Sequence, residues 1–88
     1  PDYTKEEKQV IFKNFCMPKV LKRMGMRNEE CIVTPEAVAA VVDKFSNTTG
    51  IRDLEQAAEH IAANTLYQIE VDKVESVTVT KEMVDGLF

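Results

Sequence analysis

Apolar positions in the first quarter of the chain follow a helical spacing. Thr4 and Glu7 form a capping-box pattern, in which each side chain bonds the backbone N–H of the other residue. The helix that follows should carry these apolar residues on or near one face: Val10, Ile11, Phe12, Phe15 and Cys16. Pro18 should kink or restart this helix, because proline lacks a backbone donor and clashes with the preceding turn. The apolar pattern continues to Met24, and Gly25 is a natural helix stop.

Three more helices are predicted further along the chain. Thr34 and Pro35 suit the cap and the first position of a second helix. Its apolar stripe consists of Val38, Val41, Val42 and Phe45. Residues 46–50 are typical of a turn, and a third helix should run from about residue 51 to 69. Its stripe consists of Leu54, Ala58, Ile61, Ala62, Thr65 and Ile69. Thr80 should cap a short last helix.

Two short β-branched runs, residues 31–33 and 77–79, are too brief for helices and predict strands. They can pair in parallel because the intervening helices provide a long enough crossover. Two strands are marginal on their own, so the helices must supply most of the core. The expected fold is therefore mostly α, with four helices and a short two-stranded parallel sheet in a single domain over residues 1–88.

Composition narrows the classes of function. Of 88 residues, 30% are charged and 44% hydrophobic, and no run is long and apolar enough for a membrane span. The net charge of −4 makes the chain a poor general binder of nucleic acid or anionic lipid. Cys16 and Cys31 lie among apolar neighbours, which favours buried free thiols in a reducing compartment over a secreted disulfide. Because the sequence starts at Pro1 rather than Met, we expect a piece of a larger chain.

Candidate catalytic chemistry is sparse. His60 is the one histidine, and a dyad with Cys16 or Cys31 has to be weighed against a plain surface histidine in mid-helix. No Cys or His residues fall at metal-ligand spacing, and the three glycines form no phosphate-binding loop. We therefore expect neither a catalytic residue nor a metal ligand within this sequence.

Arg52 is the residue whose position is unexpected. It lies at the N-terminal end of the predicted third helix, where a cation opposes the helix dipole by about 0.3–1 kcal/mol. One interpretation is that Asp53, Glu55 or Gln56 compensates the charge and that the arginine is simply exposed. The other is that the guanidinium and the helix N–H groups together await an anion such as phosphate.

Residues 50–55, Gly-Ile-Arg-Asp-Leu-Glu, resemble the segment that carries the second-sensor arginine in Lon proteases, a family of AAA+ ATP-dependent proteases. Residues 3–8 are similar to the Tyr-Thr-x-x-Glu-Lys start of that family's segment, and residues 18–19 to the Pro-Lys of its kinked first helix. Residues 34–37 resemble its capped second helix, and residues 77–80 with Leu87 its last strand and helix. These features occur in the family's order over nearly the whole sequence. The family's basic residues are missing at 46–49 and 62–65, which marks a divergent member.

The resemblance implies the small α-helical lid subdomain of the ATPase module. Arg52 is then expected to contact the γ-phosphate of ATP and to couple hydrolysis to lid rotation. Tyr3 is expected either to border the adenine or to pack on the first helix. ATP with Mg would bind the large ATPase subdomain of the same chain, and the isolated segment would bind none.

The resemblance also describes the larger protein. It implies a homo-oligomeric ring that unfolds protein substrates and cleaves them with a Ser-Lys dyad outside this segment. The expected location is the cytoplasm, with the mitochondrial matrix as the alternative.

Two other classes of function stay open. One is a non-enzymatic helical module that binds a protein helix or peptide, which needs an exposed apolar patch. The other is a nucleic-acid-binding domain, whose support is a basic run at Lys19, Lys22 and Arg23 with Arg27. The basic run is also what a solvated helix face looks like, so we expect no nucleic-acid partner.

Overall fold

The computed structural model describes residues 3–45 and 51–88. In chain order, the elements are α1 (Lys5–Ile11), a π-helical segment (Phe12–Cys16), α2 (Met17–Arg23), a 3₁₀ turn (Asn28–Glu30), β1 (Cys31–Val33), α3 (Pro35–Lys44), α4 (Arg52–Asp72), β2 (Val77–Val79) and α5 (Lys81–Leu87). The first three elements form one continuous helix, which with α3, α4 and α5 gives the predicted mostly helical architecture. The predicted turn at residues 46–50 lies outside the described residues.

The first helix begins and ends as its sequence predicts. Thr4 Oγ1 accepts a hydrogen bond from the Glu7 backbone N–H at 3.1 Å, and Glu7 Oε1 accepts from the Thr4 N–H at 2.8 Å, which confirms the capping box. Gly25 has a φ of 75° and donates its N–H to Lys22 O, while the Met26 N–H donates to Leu21 O. These two bonds form the motif that ends helices at a left-handed glycine.

The expected interruption at Pro18 is a π-helical segment. The Met17 N–H donates to Phe12 O, five residues earlier, so this turn is wider than an α turn. Proline supplies no N–H and crowds the preceding turn, and a wider turn is one way to continue a helix past it.

The buried face of the first helix differs from the predicted one. Val10 and Phe15 were expected near the core, but their side chains are 53% and 65% exposed. The buried positions recur at every fourth residue instead: Lys8, Phe12, Cys16 and Val20. The extra residue in the π turn explains this spacing, because it delays the return of each position to the same face. Within one turn, Phe12 is therefore fully buried and Phe15 is exposed.

The two strands pair in parallel, as predicted, with Cys31 opposite Val77 and Val33 opposite Val79. The crossover consists of α3 and α4, and α4 extends three residues beyond its predicted end at Ile69. The core lies between the sheet and the helices, and its largest fully buried apolar side chains include Phe12, Leu21, Leu54, Ile61, Val41, Val79 and Val84. Within the described residues, no helix combines the length and apolarity needed to cross a membrane.

Both cysteines are buried free thiols, as predicted. Burial raises the pKa of the Cys16 thiol and, to a lesser degree, the nearby Glu55 charge does the same. Burial also raises the pKa of Cys31, whose sulfur lies 3.3 Å from Thr65 Oγ1 at a shared hydrogen bond. Neither thiol therefore has the low pKa of a nucleophile.

Candidate functional site

Arg52 is the first residue of α4, and its side chain is exposed. The preceding Ile51 supplies no side-chain hydrogen bond to cap the helix. Arg52 thus lies in the first turn of the helix, at the positive end of the helix dipole, where backbone N–H groups have no partner within the helix. This placement agrees with the position expected from the sequence.

Glu55, a predicted compensator of Arg52, binds another partner. Its Oε2 accepts a hydrogen bond from Lys19 Nζ of α2 at 2.8 Å. This hydrogen bond, together with the charge of Lys19, lowers the pKa of the Glu55 carboxyl. One turn further along, Arg23 Nη2 donates to Glu59 Oε1 at 2.9 Å. We call these two pairs, Lys19–Glu55 and Arg23–Glu59, the α2–α4 ion pairs.

No acidic residue in the described ranges, 3–45 and 51–88, forms an ion pair with Arg52. Asp53 adjoins it in sequence, but neighbouring residues on a helix point in different directions. Gln56, the third predicted compensator, carries no charge. The arginine charge is therefore left without a carboxylate in this part of the molecule.

Tyr3 lies beside the start of α1 and is 44% exposed. It lines a shallow, mostly apolar groove of about 340 Å³ together with Glu6, Glu7, Val10 and Ile11. The residues lining this groove precede or belong to α1, so Tyr3 and Arg52 do not share one pocket among the described residues. The groove is open to solvent beside the tyrosine.

The histidine and metal alternatives receive no support from the geometry. His60 is exposed on α4, and its ring lies 5.3 Å from the ring of Phe88 at an angle of 55°. It forms no hydrogen bond with Cys16 or Cys31. In the part of the chain that the structure describes, no three His, Cys, Asp or Glu side chains are grouped so that they could hold a metal ion.

The α2–α4 ion pairs are the feature that sequence reasoning missed. A signal for them is present, because Lys19 and Arg23 are four residues apart and so are Glu55 and Glu59. Arg27 also has a carboxylate partner, Glu30, at 3.7 Å. Most of the basic run is thus bound to acidic side chains of the same chain.

The chain is 34% identical over 62 residues to the Lon protease of Acinetobacter baumannii, a match that covers 70% of the chain and 8% of that protein. It is 31% identical over 80 residues to the Lon protease of Desulforamulus reducens, and 26% identical over 86 residues to Lon protease 1 of Syntrophotalea carbinolica. The last match spans 98% of the chain. The chain belongs to the Lon protease family.

The Lon-family chain spans about a tenth of the length of the curated relatives it matches. No family model matches the sequence. The identities of 26–34% agree with a divergent member. Residues 3–8, 18–19, 34–37 and 77–80, which resemble segments of the Lon family, fall on the start of α1, on α2, on the start of α3 and on β2 of the structure, and Arg52 starts α4.

Proposed function

We propose that the chain is the lid subdomain of the ATPase module in a Lon-like protein, with Arg52 as the second-sensor arginine. The observation that carries the proposal is the state of Arg52, which is exposed at the first position of α4 while Glu55, three residues further along the helix, is bound to Lys19. A cation kept at this end of a helix is unfavourable unless an anion approaches it. A phosphate group of ATP is such an anion.

The chemistry of the nucleotide fits this position. Phosphate oxygens accept hydrogen bonds from helix N-terminal N–H groups and from a guanidinium in two-pronged geometry. During hydrolysis, negative charge on the γ-phosphoryl group is stabilised by a positioned arginine. Arg52 would therefore bind ATP more strongly before hydrolysis than afterwards, when the γ-phosphate has left.

Coupling of hydrolysis to movement requires that the lid moves as one body. The α2–α4 ion pairs and the packing of Leu54 and Ile61 in the core join α4 to the first helix. A force on Arg52 would thus move the whole lid as one rigid body rather than deform α4 alone.

The groove beside Tyr3 suits the base of the nucleotide. Val10, Ile11 and the tyrosine ring offer a mostly apolar surface for a planar ring. We propose that it faces the adenine when the lid closes on the large ATPase subdomain. Mg would accompany the ATP on that subdomain, because the described part of the lid has no cluster of metal ligands.

For the larger protein, we propose the activity implied by the family. It would form a homo-oligomeric ring in the cytoplasm, or alternatively in the mitochondrial matrix, that unfolds protein substrates with ATP. Peptide bonds would then be cleaved by a serine activated by a lysine, both outside this segment.

The experiment replaces Arg52 by Ala in the full-length protein. Loss of a charged hydrogen bond to phosphate should lower ATP hydrolysis and ATP-driven protein degradation by about 10- to 100-fold. Cleavage of a short unfolded peptide, which needs no unfolding, should change far less. Arg27→Ala removes an exposed arginine that is already paired with Glu30, and it serves as the matched control. Unchanged ATP hydrolysis in Arg52→Ala would rule out the sensor role.

A protein-interaction module is the alternative function. Its supporting observation is that Tyr67 and Val71 are 66% and 55% exposed and lie four residues apart on the C-terminal half of α4. The two functions use opposite ends of one helix. If Tyr67→Ser lost ATP-driven protein degradation while Arg52→Ala kept it, the result would favour the interaction module.

A further inference from the structure

Arg52 and Glu55 of α4 do not form an ion pair with each other. They are three residues apart, and side chains at this spacing lie on neighbouring positions of a helix and commonly form ion pairs. In the structure, the Glu55 carboxylate instead accepts a hydrogen bond from Lys19 Nζ at 2.8 Å. Its side chain is 29% exposed, against 61% for the lysine, so the carboxylate points towards α2.

The other acidic groups near Arg52 compete less well for it. Glu59 lies seven residues away, about two helical turns, and is held by Arg23 at 2.9 Å. The residue four positions after the arginine, Gln56, is neutral. Glu55 is thus the carboxylate of the described part of α4 that is best placed to neutralise Arg52.

We infer that Lys19 is a positioning residue for Arg52, because it holds Glu55 and so keeps the guanidinium available for the phosphate of ATP. This inference rests on the proposed function of Arg52. Without the lysine, Glu55 would turn to Arg52 and form the helical pair. ATP would then have to displace a carboxylate before it could bind, which lowers its apparent affinity in proportion to the paired fraction.

The test uses the full-length protein and measures the Kd of a non-hydrolysable ATP analogue and the kcat of ATP hydrolysis. Lys19→Met should raise the Kd about 1.5-fold to twofold, the population shift that one helical ion pair produces, with little change in kcat at saturation. In a Glu55→Gln background, the same lysine substitution should have no further effect. Lys19→Arg keeps the pair and should keep the Kd of the unmodified protein.

Arg23→Met is the matched control, because it breaks the second of the α2–α4 ion pairs without freeing a carboxylate next to Arg52. It should leave the Kd unchanged. If Lys19→Met and Arg23→Met raise the Kd equally, or if Glu55→Gln fails to remove the effect of Lys19→Met, the ion pair acts only on structure and the inference is wrong.

Arg52→Ala, measured in parallel, distinguishes the sensor role of Arg52 from the positioning role of Lys19. If Arg52→Ala weakens ATP binding and Lys19→Met does not, the positioning role fails while the sensor role stands. If Arg52→Ala itself leaves ATP binding and hydrolysis unchanged, the sensor role fails and takes the positioning role with it.

Discussion

Replacement of Phe12 by Ala tests the π-helical segment directly. Phe12 is fully buried in the core, whereas Phe15 of the same segment is 65% exposed. The two residues have the same side chain, three positions apart in one turn. Their different burial follows from the wide turn, so a comparison of the two alanine variants reports on the register of the helix.

The expected magnitudes follow from this burial. Truncation of a fully buried phenylalanine costs about 3–5 kcal/mol, through lost burial and the cavity that remains. Phe15→Ala should cost about 1 kcal/mol or less, because most of its ring stays in water. A domain of 88 residues has a free energy of unfolding of about 4–13 kcal/mol. Phe12→Ala should therefore remove a large part of the total stability.

The assay is urea denaturation of the chain, followed by the circular dichroism of its helices. With a slope of about 1 kcal/mol per molar urea, Phe12→Ala should lower the midpoint by about 3 M or more. If that variant is unfolded without urea, Phe12→Leu keeps most of the volume and should cost about 1–1.5 kcal/mol. Equal losses for Phe12→Ala and Phe15→Ala would refute the register and favour a regular α-helix.

Three further predictions concern the backbone at two glycines and the two thiols. Gly25→Ala should lower the free energy of unfolding by about 1 kcal/mol, because a Cβ is strained at a φ of 75°. Gly86→Ala should raise the free energy of unfolding by about 0.5–1 kcal/mol, because Gly86 lies within the helix α5. Urea titration of both variants checks this, and a shift of the same sign in both would contradict it. Cys16 and Cys31 should react slowly with a thiol reagent at pH 8 until the chain unfolds, and equal rates before and after unfolding would contradict their burial. Because burial raises both pKa values above 9.0, unfolded thiols ionise first, and stability should fall as the pH rises past 9.

Local signals in the sequence predicted much of the fold. Each of the three threonine caps, Thr4, Thr34 and Thr80, accepts a hydrogen bond from the backbone three residues later, as its position before a helix indicates. The β-branched runs formed the two strands, and their parallel pairing followed from the long crossover. These features depend on neighbouring residues, which a sequence shows directly.

The errors have a local cause in one case and a distant cause in the other. Phe15 was expected in the core because a 3.6-residue period places it near Phe12 and Cys16, but the π turn changes that period. The burial of Lys8 was not predicted either, since it depends on α3, where Phe45 O accepts a hydrogen bond from Lys8 Nζ at 3.4 Å.

The candidate site divides in the same way. The position of Arg52 at the start of α4 was predicted from the helix pattern. The partner of Glu55 was not, because Lys19 lies 36 positions earlier and only the packing of α2 on α4 brings the two together. The sequence offered three residues to compensate the arginine charge, whereas the structure shows that one of them, Glu55, is already bound to Lys19.

The parallel pairing of β1 with β2 has a consequence for the order of folding. The helices form from contacts between near neighbours, but β1 meets its partner only after α3 and α4 have emerged and turned back. Closing such a long loop costs chain entropy before any ladder bond is gained, so the sheet should form late. During synthesis on the ribosome, the edge of β1 would stay unpaired until Val79 has left the exit tunnel, and this stage is when the nascent chain is most exposed to aggregation.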